Sequence, residues 1–121
     1  LSNHYVYDPV AELLFTGEAM GAEVHEIAET ALRAGEVAAL EDDTERAQGW
    51  FEKVLALTDD PEKRGPGRLR RGASLGLATM LNAAEDPAKE RVCELVEGAD
   101  WGGASEAELA EVERLRSASC P

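Results

Sequence analysis

His25, Glu26 and Glu29 come closest in this chain to a pattern that could do chemistry, because residues four apart on a helix share a face and His with Glu can hold a metal. The spacing does not complete a site. A zinc peptidase needs His-Glu-x-x-His, and a carboxylate-bridged metal pair needs Glu-x-x-His on facing helices. Here Glu23 precedes His25 by two residues and Ala22 stands three before it. His4 lies in a terminal segment. Cys93 and Cys120 fit no metal spacing and no disulfide framework, so they read as one semi-buried thiol and one thiol in the tail. Neither has a neighbouring His to draw off its proton. There is no phosphate-cradling Gly-x-Gly-x-x-Gly or P-loop, and no Ser in a nucleophile elbow. The expectation is a protein that is not an enzyme and uses no cofactor and no metal, with a small metal-binding or enzymatic helical bundle as a remote alternative.

Charge narrows the classes further. Among 121 residues there are 25 acids and 12 Lys or Arg, a formal net charge of -13. A broad basic surface, which a nucleic-acid binder needs, is not available. The balance is uneven: residues 1–60 hold 14 acids and 3 bases, residues 61–75 one acid and 5 bases, and residues 76–121 ten acids and 4 bases. The island Lys63, Arg64, Arg68, Arg70 and Arg71 could dock an acidic segment or phosphate, but a charge run of this kind is usually a solvated face. No run reaches the 18 or so apolar residues of a membrane span. A soluble domain, with the cytoplasm favoured, is the expectation, and a chain that opens at Leu1 leaves a removed export signal or lipid anchor open. The heavy use of Ala, Gly and Arg over Lys suggests a GC-rich bacterial genome.

Apolar residues recur at spacings of three and four and strand signals are nearly missing, so the chain reads as all-α. Asp8-Pro9 starts a helix that ends near Gly21. A second runs over 24–40 and stops at the polar turn Glu41-Asp42-Asp43. Asp43 or Thr44 caps a third, to Leu57, with Ala47, Trp50, Phe51, Val54 and Leu55 on its apolar side. The stretch 61–67, PEKRGPG, has two Pro and two Gly in its seven residues and opposes any helix. A fourth helix spans 68–83. Asp86-Pro87 starts a fifth, to Glu97, and Ser105 to Glu108 is a capping box opening a sixth, to Ser117.

Two of these helix pairs echo each other. Gly35 is followed twelve residues later by Ala47, and 41 residues further on Gly76 is followed twelve residues later by Ala88. Small residues at such positions let antiparallel helices approach closely. The stretch 28–60 resembles a tetratricopeptide repeat: Gly35 falls on the repeat's glycine, Ala47 on the alanine that opens its second helix, Phe51 on the following aromatic, and Leu55 on the leucine. A weaker copy has Leu75-Gly76, Ala88, Val92 and Leu95 at the matching places. A plain repeat is about 34 residues long, and the seven extra residues match the loop PEKRGPG. The aromatic expected early in each repeat is Ala31 in one copy and Gly72 in the other.

The resemblance implies one domain of antiparallel helix hairpins, a right-handed α-solenoid fragment of about six helices. Residues 1–23 would be an N-terminal segment and helix, 24–60 the first repeat, 61–67 a loop, 68–103 the second repeat, and 104–121 a C-terminal capping helix and tail. It also implies a groove, lined by the first helix of each pair, that holds a protein or peptide segment. Carried over position by position, the groove residues are Glu29, Leu32, Glu36 and Ala39 in the first copy and Arg70, Ala73, Leu77 and Met80 in the second. Leu32 and Glu36 stand where a carboxylate-gripping Lys and Asn would be, which disfavours a C-terminal carboxylate as ligand. The partner would be another polypeptide, the remainder of a longer chain, or, as the alternative reading, a second copy in a homo-oligomer. Trp50 beside Phe51 is core with one ring turned partly outward, and Trp101 in a Gly-rich turn plugs the seam between the last two helices.

Overall fold

The structure is a computed structural model that describes residues 24–60, 62 and 65–121. The helix expected over 9–21, and with it His4, lies outside the described residues, as do Lys63 and Arg64. Those described form five helices and no strand: α1 (Val24–Leu40), α2 (Thr44–Leu57), α3 (Gly67–Ala83), α4 (Lys89–Glu97) and α5 (Glu106–Ser119).

The turn between α1 and α2 shows why the first boundaries are sharp. Asp42 takes a left-handed φ of 59°. Asp43 N then donates to Ala38 O at 2.9 Å and Asp42 N to Ala39 O at 3.1 Å, the paired bonds that close a helix C-terminus. Asp43 serves the next helix as well, its carboxylate accepting from Arg46 N. α2 ends on Thr58, fully buried, whose hydroxyl donates to Val54 O at 2.7 Å. α5 opens on the expected capping box, with Glu108 N donating to Ser105 Oγ at 3.2 Å and Ser105 N to Glu108 Oε1 at 2.8 Å.

α4 departs from expectation. It begins at Lys89, after Asp86-Pro87 rather than on it, and its N-cap is Ala88, which has no side-chain cap. Ala88 is exposed, so it is not the close-packing residue that the Gly76 to Ala88 spacing suggested. An alanine at this place has no side-chain oxygen with which to cap the helix.

Neighbouring helices pack in order, α1 on α2, α2 on α3, α3 on α4 and α4 on α5, and α3 also packs against α1 and α5. No other pair among the described helices is packed together. Small buried residues (Ala28, Ala31, Ala38, Ala47, Ala73, Ala78) line the seams, which lets the axes come close. Phe51 is the centre. A β-carbon added at Gly35 would lie 2.7 Å from Phe51 Cε1, and one added at Gly76 would lie 2.7 Å from Phe51 Cζ. One ring of α2 therefore fills the space left by a glycine on α1 and another on α3. Trp101 follows expectation, half-buried against the core with Nε1 donating to Val96 O at 2.7 Å.

Candidate functional site

α1, α3 and α5 leave a groove between them. One part, of 760 Å³, is lined by Ala39 and Leu40 of α1, Leu75, Thr79 and Met80 of α3, and Glu111 of α5, among others. A second part, of 600 Å³, continues it along Glu29, Leu32, Arg33 and Val37 of α1 and Arg68 of α3. Glu36, Leu40, Gly72 and Glu108 border both parts. Leu40 is 86 % and Val37 53 % exposed, two of the three large apolar side chains most open to water among the described residues.

The four residues assigned to α1 from the sequence, Glu29, Leu32, Glu36 and Ala39, all border this groove. Three of the four assigned to α3 do not. Ala73 and Leu77 are buried in the core, and Arg70 points to the other side of the helix, with Nη1 donating to Leu55 O at 3.0 Å and to Thr58 Oγ1 at 3.1 Å. Met80 alone of that set lines the groove. At 100° per residue, Leu69, Ala73 and Leu77 make a buried stripe, and Leu75 and Thr79 lie about 160° and 120° round the helix from its middle. The spacing of four from Leu69 to Ala73 to Leu77 is the signal that marks these residues as core. Leu75 and Thr79 line the groove without having been assigned to it from the sequence, as do Val37 and Leu40 of α1 and Glu108 and Glu111 of α5.

Where it is described, the basic island is tied into the fold, with Arg68 exposed and Arg70 and Arg71 half-buried. Arg68 Nη2 reaches Glu29 Oε1 at 2.8 Å and ties α3 to α1. Arg70 ties α3 to the end of α2, and Arg71 Nη2 donates to Gly103 O at 3.4 Å, ahead of α5. The Arg71 Nε is buried with no hydrogen-bond partner among the described residues.

Arg68 and Arg33 shape the electrostatics of the groove. The hydrogen bond from Arg68 holds the Glu29 carboxyl below its ordinary value against partial desolvation, with the charges of Arg68, Arg33 and His25 adding to it. Glu111 is lowered likewise by its hydrogen bond from Arg114. A lowered folded-state pKa contributes stability above the ordinary carboxylate range, and the contribution is lost as pH falls through the lowered value. Glu36 makes no ion pair among the described residues. Glu108 spends one oxygen on the capping box.

Among the described residues, metal-ligating side chains gather elsewhere only around the two cysteines, which are not the free thiols expected. Cys93 and Cys120 form a disulfide that joins α4 to the end of α5, with Cα atoms 5.1 Å apart. Glu97 Oε1 lies 3.8 Å from Cys120 Sγ and accepts from Arg116 Nε at 2.9 Å. With both sulfurs in the bond, neither is a thiolate to bind metal or attack a substrate. His25 is covered by Gly65, whose added β-carbon would lie 2.2 Å from His25 Cβ, and the φ of 70° at Gly65 also favours glycine. No protein-family model matches the chain, and neither a curated protein nor a solved structure matches it.

Proposed function

We propose that this chain is a non-enzymatic interaction domain, a two-repeat array of the tetratricopeptide kind with α5 as its closing helix, that holds a protein or peptide segment in the groove of α1, α3 and α5. The observation that carries it is the groove itself: a largely apolar floor left open to water, on the three helices that would be the first members of successive pairs. Such surfaces are uncommon on a monomer unless something covers them.

Register supports the repeat. Arg68 pairs with Glu29, Gly72 packs on Leu32, and Gly76 shares the Phe51 ring with Gly35. These α1 and α3 positions lie 39 to 41 residues apart, within two residues of the 41-residue spacing in the sequence. Each helix also packs only on near neighbours, as in an array whose units contact those beside them. We take the disulfide as support for an oxidising compartment over the cytoplasm, where thiols are kept reduced.

The test is selection of binding peptides from a displayed library, followed by rescreening on two variants that keep the helical circular-dichroism signal. Peptides that lose binding to Leu75→Glu with Met80→Glu and keep it on Ala56→Glu, an exposed position on α2, support the groove. The reverse pattern sinks it. Light scattering on the same protein tests the alternative, self-association, which the exposure of Leu40 and Val37 favours: a stable dimer whose dissociation follows Leu40→Glu would make the groove a subunit interface.

A further inference from the structure

We infer that the occupant of this groove is a cationic amphipathic segment of another protein, with a Lys or Arg seated between Glu36 and Glu108 and apolar side chains on Leu75 and Met80; this rests on the docking reading above. Glu36 on α1 and Glu108 on α5 are the two carboxylates that border both parts of the groove. They stand on opposite walls, with α3 as the floor between. The other acids are already answered: Glu29 by Arg68 and Arg33, and Glu111 by Arg114. Glu36 has no cation among the described residues, and the hydrogen bond from Ser105 N uses only one oxygen of Glu108. A cation from outside meets negative charge on both sides and an apolar surface one turn away. Opposite charges across an interface set partner choice and speed encounter.

Candidates from the chain itself fit poorly. Residues 1–23 carry Asp8, Glu12, Glu18 and Glu23 and no Lys or Arg, so like charges would oppose that segment in the groove. A second copy brings another net charge of -13, so like charges oppose it as well.

The experiment uses fluorescence anisotropy with three labelled peptides of one design: Leu at helical spacing with Arg on the flanks, the same peptide with Gln for each Arg, and the same with Glu. The Arg peptide is expected to bind, to weaken with added salt, and to lose about tenfold in affinity on Glu36→Gln with Glu108→Gln. Gln at 108 can keep the capping box. The same charge change at Glu45→Gln with Glu90→Gln, exposed and away from the groove, should cost less than twofold.

Equal binding of the Arg and Gln peptides, abolished by Leu75→Glu with Met80→Glu, would overturn the cationic occupant and leave the docking groove standing. Equal losses for the two carboxylate pairs would overturn the inference by showing attraction to the whole acidic molecule. Binding of no peptide would overturn both.

Discussion

The first hairpin and the last two helices are held together in different ways. α1 and α2 have 17 and 14 residues, join through the tight turn at Asp42, and meet along alanines and Gly35. α4 has only 9 residues and no side-chain cap, so it buries a shorter stripe, Val92, Leu95 and Val96. Other contacts make up the difference there: the Cys93–Cys120 disulfide, the Arg116 to Glu97 ion pair and the Trp101 hydrogen bond. Where helices are long and small residues let them approach, packing alone suffices. Where a helix is short, covalent and polar ties hold its partner in place. That matters to function because α5 carries Glu108 and Glu111, one wall of the groove.

The sharpest way to break this contrast is Phe51→Ala. The ring is 2 % exposed and serves two seams at once. Truncation should cost about 3 to 5 kcal/mol in urea unfolding; a loss under about 1 kcal/mol would mean that packing does not hold the first three helices. Next is removal of the disulfide by Cys93→Ser with Cys120→Ser. Closing a loop with a sequence separation of 27 is worth about 3.5 kcal/mol in the chain-entropy account. Hydrogen exchange should show α5 amides losing protection first while α1 and α2 keep theirs. Uniform loss across all five helices would erase the distinction between the two regions.

The two regions were also unequally legible. The bounds of α1 and α2 follow from local chemistry, since Glu41-Asp42-Asp43 is a turn and cap signal that needs no tertiary contact. α4 misleads because Asp86-Pro87 looks like a helix start while the helix waits until Lys89. The disulfide was hidden for a different reason. Cys93 and Cys120 meet only because α4 and α5 run in opposite directions, which also pairs Glu97 with Arg116, and two cysteines 27 residues apart carry no sign of it. On the groove, α1 was read in register and α3 was not, because Ala73 and Leu77 are apolar for the sake of the core.

Gly76 and Ala88 set a smaller test of the same contrast. The sequence paired them as equivalent to Gly35 and Ala47, yet Gly76 presses on Phe51 and Ala88 is exposed. Gly76→Ala should overpack the ring and cost about 1 to 3 kcal/mol. The ring cannot swing aside, because Gly35 closes on its other edge. Ala88→Leu should change stability by less than about 0.5 kcal/mol. If the two effects are reversed, the second pair does pack as the spacing suggested and α4 resembles α2 more closely than the structure has it.

A small effect of the opposite sign comes from a glycine with nothing to do. Gly49 lies inside α2, and a β-carbon added there meets no atom within 4 Å. Its backbone freedom is only a cost to the helix, since glycine in a helix interior is worth about 0.5 to 1 kcal/mol less than alanine. Gly49→Ala should therefore raise the urea midpoint with an unchanged slope. Set beside Gly35 and Gly76, it separates glycines that make room for Phe51 from one that does not. A loss on Gly49→Ala would mean that this side of α2 is covered.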